Sequence, residues 1–154
     1  MMFRQGNNLF QKMRWRRSWI SKMKIFISQR VSGEDREKLK EETKRIIEVL
    51  RDKGHEIVSV IDYPPEFVNY SVKKRLSEYA FKRMDESDII LAIIRGEERS
   101  EGMLMEIGHI LDTDKKIILL IKKEVHNTYL RDMAEKVIEF ENSDDLIKQL
   151  GDLN

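Results

Sequence analysis

The sequence contains no cysteine, which excludes disulfides, thiolate nucleophiles and thiolate metal sites. Its three histidines have no ligand spacing and no carboxylate cluster beside them, so we expect neither a metal nor another cofactor. No run approaches the roughly 18 to 20 consecutive apolar residues needed to span a bilayer. We therefore expect a cytoplasmic protein with no membrane partner.

Glycine is scarce, and its seven residues match neither a Walker A loop nor a dinucleotide-binding fingerprint. The two prolines stand together in one loop, at positions 64 and 65. Charge, by contrast, is abundant, since 37% of the residues are Asp, Glu, Lys or Arg. A balanced net charge of +1 conceals a basic segment, because the first 24 residues contain seven Lys or Arg and no acid.

We predict that residues 1–22 are a basic extension and that residues 23–154 form one α/β domain. The extension has two interpretations. It is a disordered segment or a start-site artefact with Met23 as the true first residue, or it binds nucleic acid through its basic groups and the interleaved Trp15 and Trp19.

From residue 24 onward, apolar strand-like runs alternate with segments of helical spacing. The predicted strands are 24–28, 55–61, 88–94, 116–121 and 137–140, and the predicted helices are 34–53, 71–86, 102–113, 127–136 and 142–150. This alternation indicates a doubly wound five-stranded parallel sheet in a flavodoxin-like or Rossmann-like three-layer sandwich. A strand order of 2-1-3-4-5 places the loops after Ser28 and after Ile94 at one crevice, where such folds bind ligands.

The loop after the first strand has the groups that a single phosphate requires. Its backbone and hydroxyl donors, its arginine and the following helix N-terminus come from Ser28, Arg30, Ser32 and Gly33. The alternative is an ordinary strand-to-helix loop in which Ser32 caps the helix and two acids favour its positive end.

The loop after the third strand leads into a helix carrying Ser100, Gly102 and Glu106. Helical spacing predicts a buried face formed by Met103, Leu104, Ile107, Ile110 and Leu111, with Glu106 at its border. We expect the helix dipole to keep this carboxylate ionised, as a nucleophile requires, and Gly102 to let a ligand approach the backbone. The alternative is a surface glutamate with Ser100 as the helix cap.

The pattern Ser100-x-Gly102-x-x-x-Glu106-x-Gly108 after an apolar strand resembles the nucleoside 2-deoxyribosyltransferase superfamily, which includes 2′-deoxynucleoside 5′-monophosphate N-glycosidases. The resemblance covers residues 23 to about 150. It implies that Glu106 is the nucleophile that attacks the anomeric carbon of the sugar. It also implies that Ser100 contacts a 5′-phosphate, since transferases acting on free nucleosides tend to have Asp there, and that the loop from Ser28 to Gly33 holds phosphate and sugar.

Three positions differ from the pattern of the superfamily. Ala80 stands where an Asp usually assists the leaving base, Leu104 where the hydrolases favour a second glycine, and Ser28 where a glycine is usual. The leading hypothesis is cleavage or transfer of the N-glycosidic bond of (deoxy)nucleoside 5′-monophosphates, with hydrolase and transferase both open. The alternative is a non-catalytic nucleotide-binding or signalling module on the same fold.

The resemblance also implies a homodimer in which residues 127–131 contribute to the neighbour's pocket. Arg30 and Arg99 are the candidate phosphate-binding cations. Three aromatic residues of the proline-containing loop either stack on the base or close the core: Tyr63, Phe67 and Tyr70.

Overall fold

A computed structural model of the chain describes residues 22–31, 33–59 and 73–153. Several predicted features lie outside these residues. They are most of the basic extension, the last two residues of the second predicted strand, and the side chains of Ser32, Tyr63, Phe67 and Tyr70.

The described strands form one parallel sheet of five strands in the order β2-β1-β3-β4-β5. The strands are β1 (Lys24–Gln29), β2 (Glu56–Ser59), β3 (Ile89–Ile94), β4 (Lys116–Lys122) and β5 (Lys136–Phe140). Because the order reverses between β1 and β3, the carboxyl ends of these two strands flank the switch point of the sheet. The predicted α/β class and strand order are confirmed.

The described helices are α1 (Arg36–Asp52), α2 (Lys73–Asp85), α3 (Glu101–Ile110), α4 (Leu130–Met133) and α5 (Ser143–Gly151). They cover both faces of the sheet, because α1 and α5 pack on one face, whereas α2, α3 and α4 pack on the other. Alternate residues of β1 enter the two cores, with Ile25 and Ile27 on the α1 side and Phe26 on the α3 side. Ser28 follows Phe26 by two residues and therefore faces α3.

The helix ends show why the chain enters each helix where it does. Asp35 caps α1 by accepting hydrogen bonds from the backbone N–H groups of Glu37 and Lys38, at 3.2 and 3.3 Å, so the cap expected at Ser32 is wrong. Asn142 caps α5 in the same way. Gly54 follows α1 with a φ of +93°, a conformation that glycine adopts without strain.

Two predictions about the second half of the chain are wrong. The helix predicted over 127–136 is a single turn, because the N–H groups of His126 and Asn127 donate to the Glu97 carboxylate and Glu135 N–H donates to the carbonyl of Ile117. The predicted buried face of α3 is narrower than expected, since Leu104 and Leu111 are about half exposed. None of the described helices has the length and hydrophobicity required to cross a membrane.

Candidate functional site

The β1–α1 loop and the β3–α3 loop meet at the carboxyl edge of the sheet. Their direct contact is an ion pair between Arg30 Nη1 and Glu98 Oε2 at 2.5 Å. Arg30, Glu34 and residues 95–100 also line one cavity of about 270 Å³. The two loops that the predicted topology places at one crevice therefore touch each other.

Glu106 lies in the second turn of α3, on the side that faces the end of β1. Burial raises the pKa of its carboxyl from 4.5 to about 7, and the neighbouring Ser28 hydroxyl offsets part of this increase. With a pKa of about 7 the Glu106 carboxyl is partly protonated at neutral pH, so burial opposes the effect that we expected from the helix dipole. Burial removes water from around the half-buried carboxylate in the second turn of α3. This desolvation raises the pKa more than the positive end of the helix dipole lowers it.

Several buried polar atoms at this edge have no hydrogen-bond partner among the described residues. They are Gln29 Oε1 and Arg95 Nη2, whose residues bind Thr43 and Glu42 of α1, and Glu106 Oε2 on the α3 side of the sheet. Gln29 ends β1, Arg95 follows β3 directly, and Glu106 belongs to the helix after β3. Buried polar groups are normally paired, so the free Glu106 Oε2 on the α3 side of the switch point indicates a place where a ligand atom or water completes the bonding.

Ser100 and Gly102 shape the start of α3. The Ser100 hydroxyl accepts a hydrogen bond from the Met103 N–H at 3.2 Å and so caps the helix, as the structural alternative predicts. A Cβ at Gly102 would meet Ser100 Oγ at 3.8 Å, and no other described atom outside its local backbone lies within 4 Å. The space beside Gly102 is therefore open to a ligand, and the fold itself does not require a glycine there.

Arg30 is folded back over its own loop. Gly33 has a φ of +82°, and a Cβ at this position would lie 2.6 Å from Arg30 Nη2. Glu34 Oε1 lies 3.4 Å from Arg30 Nη1, so the guanidinium is held between the loop backbone, Glu34 and Glu98. Gly33 therefore serves the loop by giving the arginine side chain room.

The other charged residues of the β3–α3 loop bind three different elements. Arg95 pairs with Glu42 of α1 at 2.7 Å, both oxygens of Glu97 accept the N–H groups of His126 and Asn127, and Arg99 donates to Asn127 Oδ1 at 3.0 Å. These contacts were not predicted from the sequence, although the charge-rich run after the third strand indicated that charged side chains form contacts there.

Ala80 stands where the superfamily pattern has an Asp, and the acids near it in the sequence do not take that place in this structure. Ala80 is buried in the apolar cluster beneath α3, and Glu78 is exposed. Asp85 Oδ1 lies 2.8 Å from Nε2 of His109, whose ring stacks on Phe81. The Asp85–His109 pair joins α2 to α3, one turn of α3 beyond Glu106 and farther from the carboxyl edge of the sheet.

The cavity of about 270 Å³ extends away from Glu106. Leu104, Gly108 and Leu111 line it. Their helical spacing places them on the side of α3 opposite to Glu106. Its other wall is the segment from Val125 to Met133. Within residues 22–31, 33–59 and 73–153, no three His, Cys, Asp or Glu side chains are grouped as metal ligands.

Comparison with solved structures gives the same fold. A CMP N-glycosidase from Clostridium botulinum is 23% identical, with 82% of this chain and 96% of that chain covered and a TM-score of 0.57. A 2-deoxyribosyltransferase from Bacillus psychrosaccharolyticus is 24% identical, with 82% and 95% covered and a TM-score of 0.61. A conserved protein from Enterococcus faecalis V583 is 14% identical, with 84% and 98% covered and a TM-score of 0.60.

No curated protein sequence matches the chain. A sequence model of the family described as nucleoside 2-deoxyribosyltransferase matches residues 31–145, well over half of the chain and including both Ser100 and Glu106. The description of this family indicates transfer of the deoxyribosyl group of nucleosides. The chain belongs to the nucleoside 2-deoxyribosyltransferase family.

Proposed function

We propose that this protein cleaves or transfers the N-glycosidic bond of (deoxy)nucleoside 5′-monophosphates, with Glu106 as the nucleophile. The observation that supports this most is the Glu106 carboxylate itself. It is half-buried at the switch point of the sheet, its Oε2 has no partner among the described residues, and it lies within the range matched by the family model. A carboxylate with one free oxygen at this edge is available to attack a sugar carbon.

The proposed reaction is a double displacement. The ionised Glu106 attacks C1′ through an oxocarbenium-like transition state, the C1′–N bond breaks with its electron pair leaving on the base, and a glycosyl ester forms on Glu106. Water then attacks C1′ and releases the sugar phosphate, which makes the enzyme a hydrolase. A second base in place of water makes it a transferase.

The leaving base needs a proton, and the described part of the chain offers no carboxylic acid at position 80. In this proposal, water in the open site donates the proton to the leaving base. This proton source suits bases that leave readily after protonation. The same observation favours a second candidate, a nucleotide-binding module without catalysis, because buried Ala80 removes the group that would assist departure.

Base release from a panel of nucleoside 5′-monophosphates and the matching nucleosides, followed by chromatography, separates the two candidates. Release from monophosphates supports the glycosidase or transferase, and addition of a second base tests whether that base replaces water as acceptor. Binding of monophosphates without release from any substrate supports the binding module.

A Gly102→Ala substitution is expected to reduce activity without reducing stability. Alanine favours helix over glycine by up to about 1 kcal/mol, and the new methyl group meets only Ser100 Oγ at an ordinary contact distance. The free energy of unfolding in urea should therefore rise or stay unchanged, while kcat/KM for base release falls at least about tenfold because the methyl fills the ligand space. Unchanged kcat/KM would show that the substrate does not approach this backbone.

We also propose a homodimer joined through an apolar patch on α3 and the segment after β4. Exposed side chains that line the cavity of about 270 Å³ form this patch: Leu104, Leu111, Tyr129 and Met133, each between 49% and 79% exposed. Large apolar side chains collected in one concave surface are typical of a protein interface. Asn127 lies beside the patch and is thereby placed near a neighbouring chain.

Leu104→Glu is expected to weaken this dimer at least about 30-fold, because it puts a charge into the apolar patch. Sedimentation or light scattering across a concentration series measures the change. Met105→Glu is the matched control, since Met105 is 55% exposed on the same helix but does not line the cavity. Equal effects of the two substitutions, or a wild-type monomer at every concentration, would contradict the proposed interface.

A further inference from the structure

The Arg30 guanidinium already binds an anionic group of the protein itself. Its Nη1 lies 2.5 Å from Glu98 Oε2 and 3.4 Å from Glu34 Oε1. A guanidinium paired with a carboxylate occupies the position that it would take toward a phosphate, since both anions present oxygens in a similar fork. The proposed phosphate-binding residue is therefore occupied before any substrate arrives.

The two carboxylates that hold Arg30 differ in how firmly they are placed. Glu34 comes from the same loop as Arg30, and only 30% of its side chain is exposed. Glu98 comes from the opposite loop, and 76% of its side chain is exposed. Ion pairs of exposed side chains are weak and screened by salt, so Glu98 can leave at small cost while Glu34 remains.

The three arginines of this edge have different partners. Arg95 pairs with Glu42 of α1, Arg99 donates to the uncharged Asn127 amide, and Arg30 pairs with a carboxylate from each of the two loops. Glu34, from the same loop as Arg30, still contacts the guanidinium when Glu98 leaves. A phosphate that displaces Glu98 thus finds an arginine that is already oriented.

We infer that Glu98 is a specificity-determining residue that occupies Arg30 in the free protein and is displaced by the 5′-phosphate of the substrate. This inference rests on the proposed function, because it concerns how the same site selects phosphorylated substrates. Glu98 competes with every phosphate for Arg30, so it reduces the affinity for all phosphorylated ligands by the same factor and leaves substrates without a phosphate unaffected.

The test compares Glu98→Gln with the wild-type protein. Glutamine keeps the size of the side chain and removes the competing charge. Inorganic phosphate, titrated calorimetrically, is expected to bind the variant about 3- to 5-fold more tightly, and KM for nucleoside 5′-monophosphates is expected to fall by the same factor. The kcat/KM for nucleosides should change less than twofold, which distinguishes a phosphate effect from a general loosening of the site.

Two further variants make the result specific. Glu101→Gln removes the same charge from an exposed position three residues along, at the start of α3, and is expected to change each constant less than twofold. In an Arg30→Gln background, Glu98→Gln should have no effect, because the cation for which the two anions compete is gone.

The outcomes separate this inference from the proposed activity. If phosphate binds Glu98→Gln no more tightly than it binds Glu101→Gln, or if no variant binds phosphate, the displacement of Glu98 is refuted. If tighter phosphate binding is observed but no substrate releases its base, the exchange on Arg30 is supported and only the catalytic proposal fails.

Discussion

Replacing Glu106 with glutamine is expected to reduce base release from nucleoside 5′-monophosphates at least about 1000-fold, because an amide cannot form the glycosyl ester. Glutamine has nearly the same shape as the neutral form of Glu106, which burial already favours around pH 7. The substrate site should therefore stay intact, and the loss should appear in kcat rather than in the binding of the monophosphate. Chromatography of the released base and calorimetric titration of the nucleotide measure the two effects separately.

Glu101→Gln serves as the control for this loss. Glu101 lies on the same helix and has the same charge, but its side chain is exposed, so its loss should leave base release within about twofold of the wild-type rate. A Glu106→Gln protein that retains a tenth or more of the wild-type activity would exclude Glu106 as the nucleophile. The reaction would then need a direct attack by water, with Glu106 only stabilising the positive sugar.

The fold could be predicted from the sequence because each strand run is buried on both faces and therefore reads as continuously apolar. Ile89–Ile94 and Lys116–Lys122 are examples, and their partners in the sheet follow from the handedness of parallel connections. The region after β4 could not be predicted in the same way. Its backbone donors bind the distant Glu97 carboxylate instead of forming a helix, and no local pattern shows such a long-range partner.

The position of Glu106 on its helix could be predicted from the sequence, but the charge state of its carboxyl could not. Helical spacing placed Glu106 at the border of the buried face of α3, yet it could not show that Leu104 and Leu111 turn outward, because periodicity does not distinguish a core from an apolar surface patch. The charge state of Glu106 depends on how much water its carboxyl loses, and that depends on atoms of β1 that are 78 residues away in the sequence. The Arg30–Glu98 pair joins two loops, so it could not be predicted from the sequence of either loop alone.

Two buried groups give the stability of the protein opposite dependences on pH. Burial and, to a lesser extent, Lys53 lower the pKa of His55, so the stabilisation from its neutral form is lost as the pH falls below about 6.5. Glu106 has the opposite effect on the pH dependence of stability, because its pKa is higher in the folded protein than in the unfolded chain. Between pH 4.5 and 7 the folded protein retains the proton that the unfolded chain has released, so the contribution of Glu106 to stability decreases as the pH rises.

Glu106→Gln isolates the second effect, because His55 is present in both proteins and its contribution cancels in the comparison. The rise in the pKa of Glu106 from 4.5 to about 7 corresponds to about 3 kcal/mol, since each pH unit is equivalent to about 1.4 kcal/mol. We expect the variant to gain about 3 kcal/mol in free energy of unfolding relative to the wild type between pH 4.5 and pH 8, measured by urea denaturation. A difference that does not change with pH would show that the carboxyl is solvated when ionised. The expected result would instead show that the same desolvation that keeps Oε2 unpaired for attack on a sugar also destabilises the free protein, as is common where a site is arranged for chemistry rather than for stability.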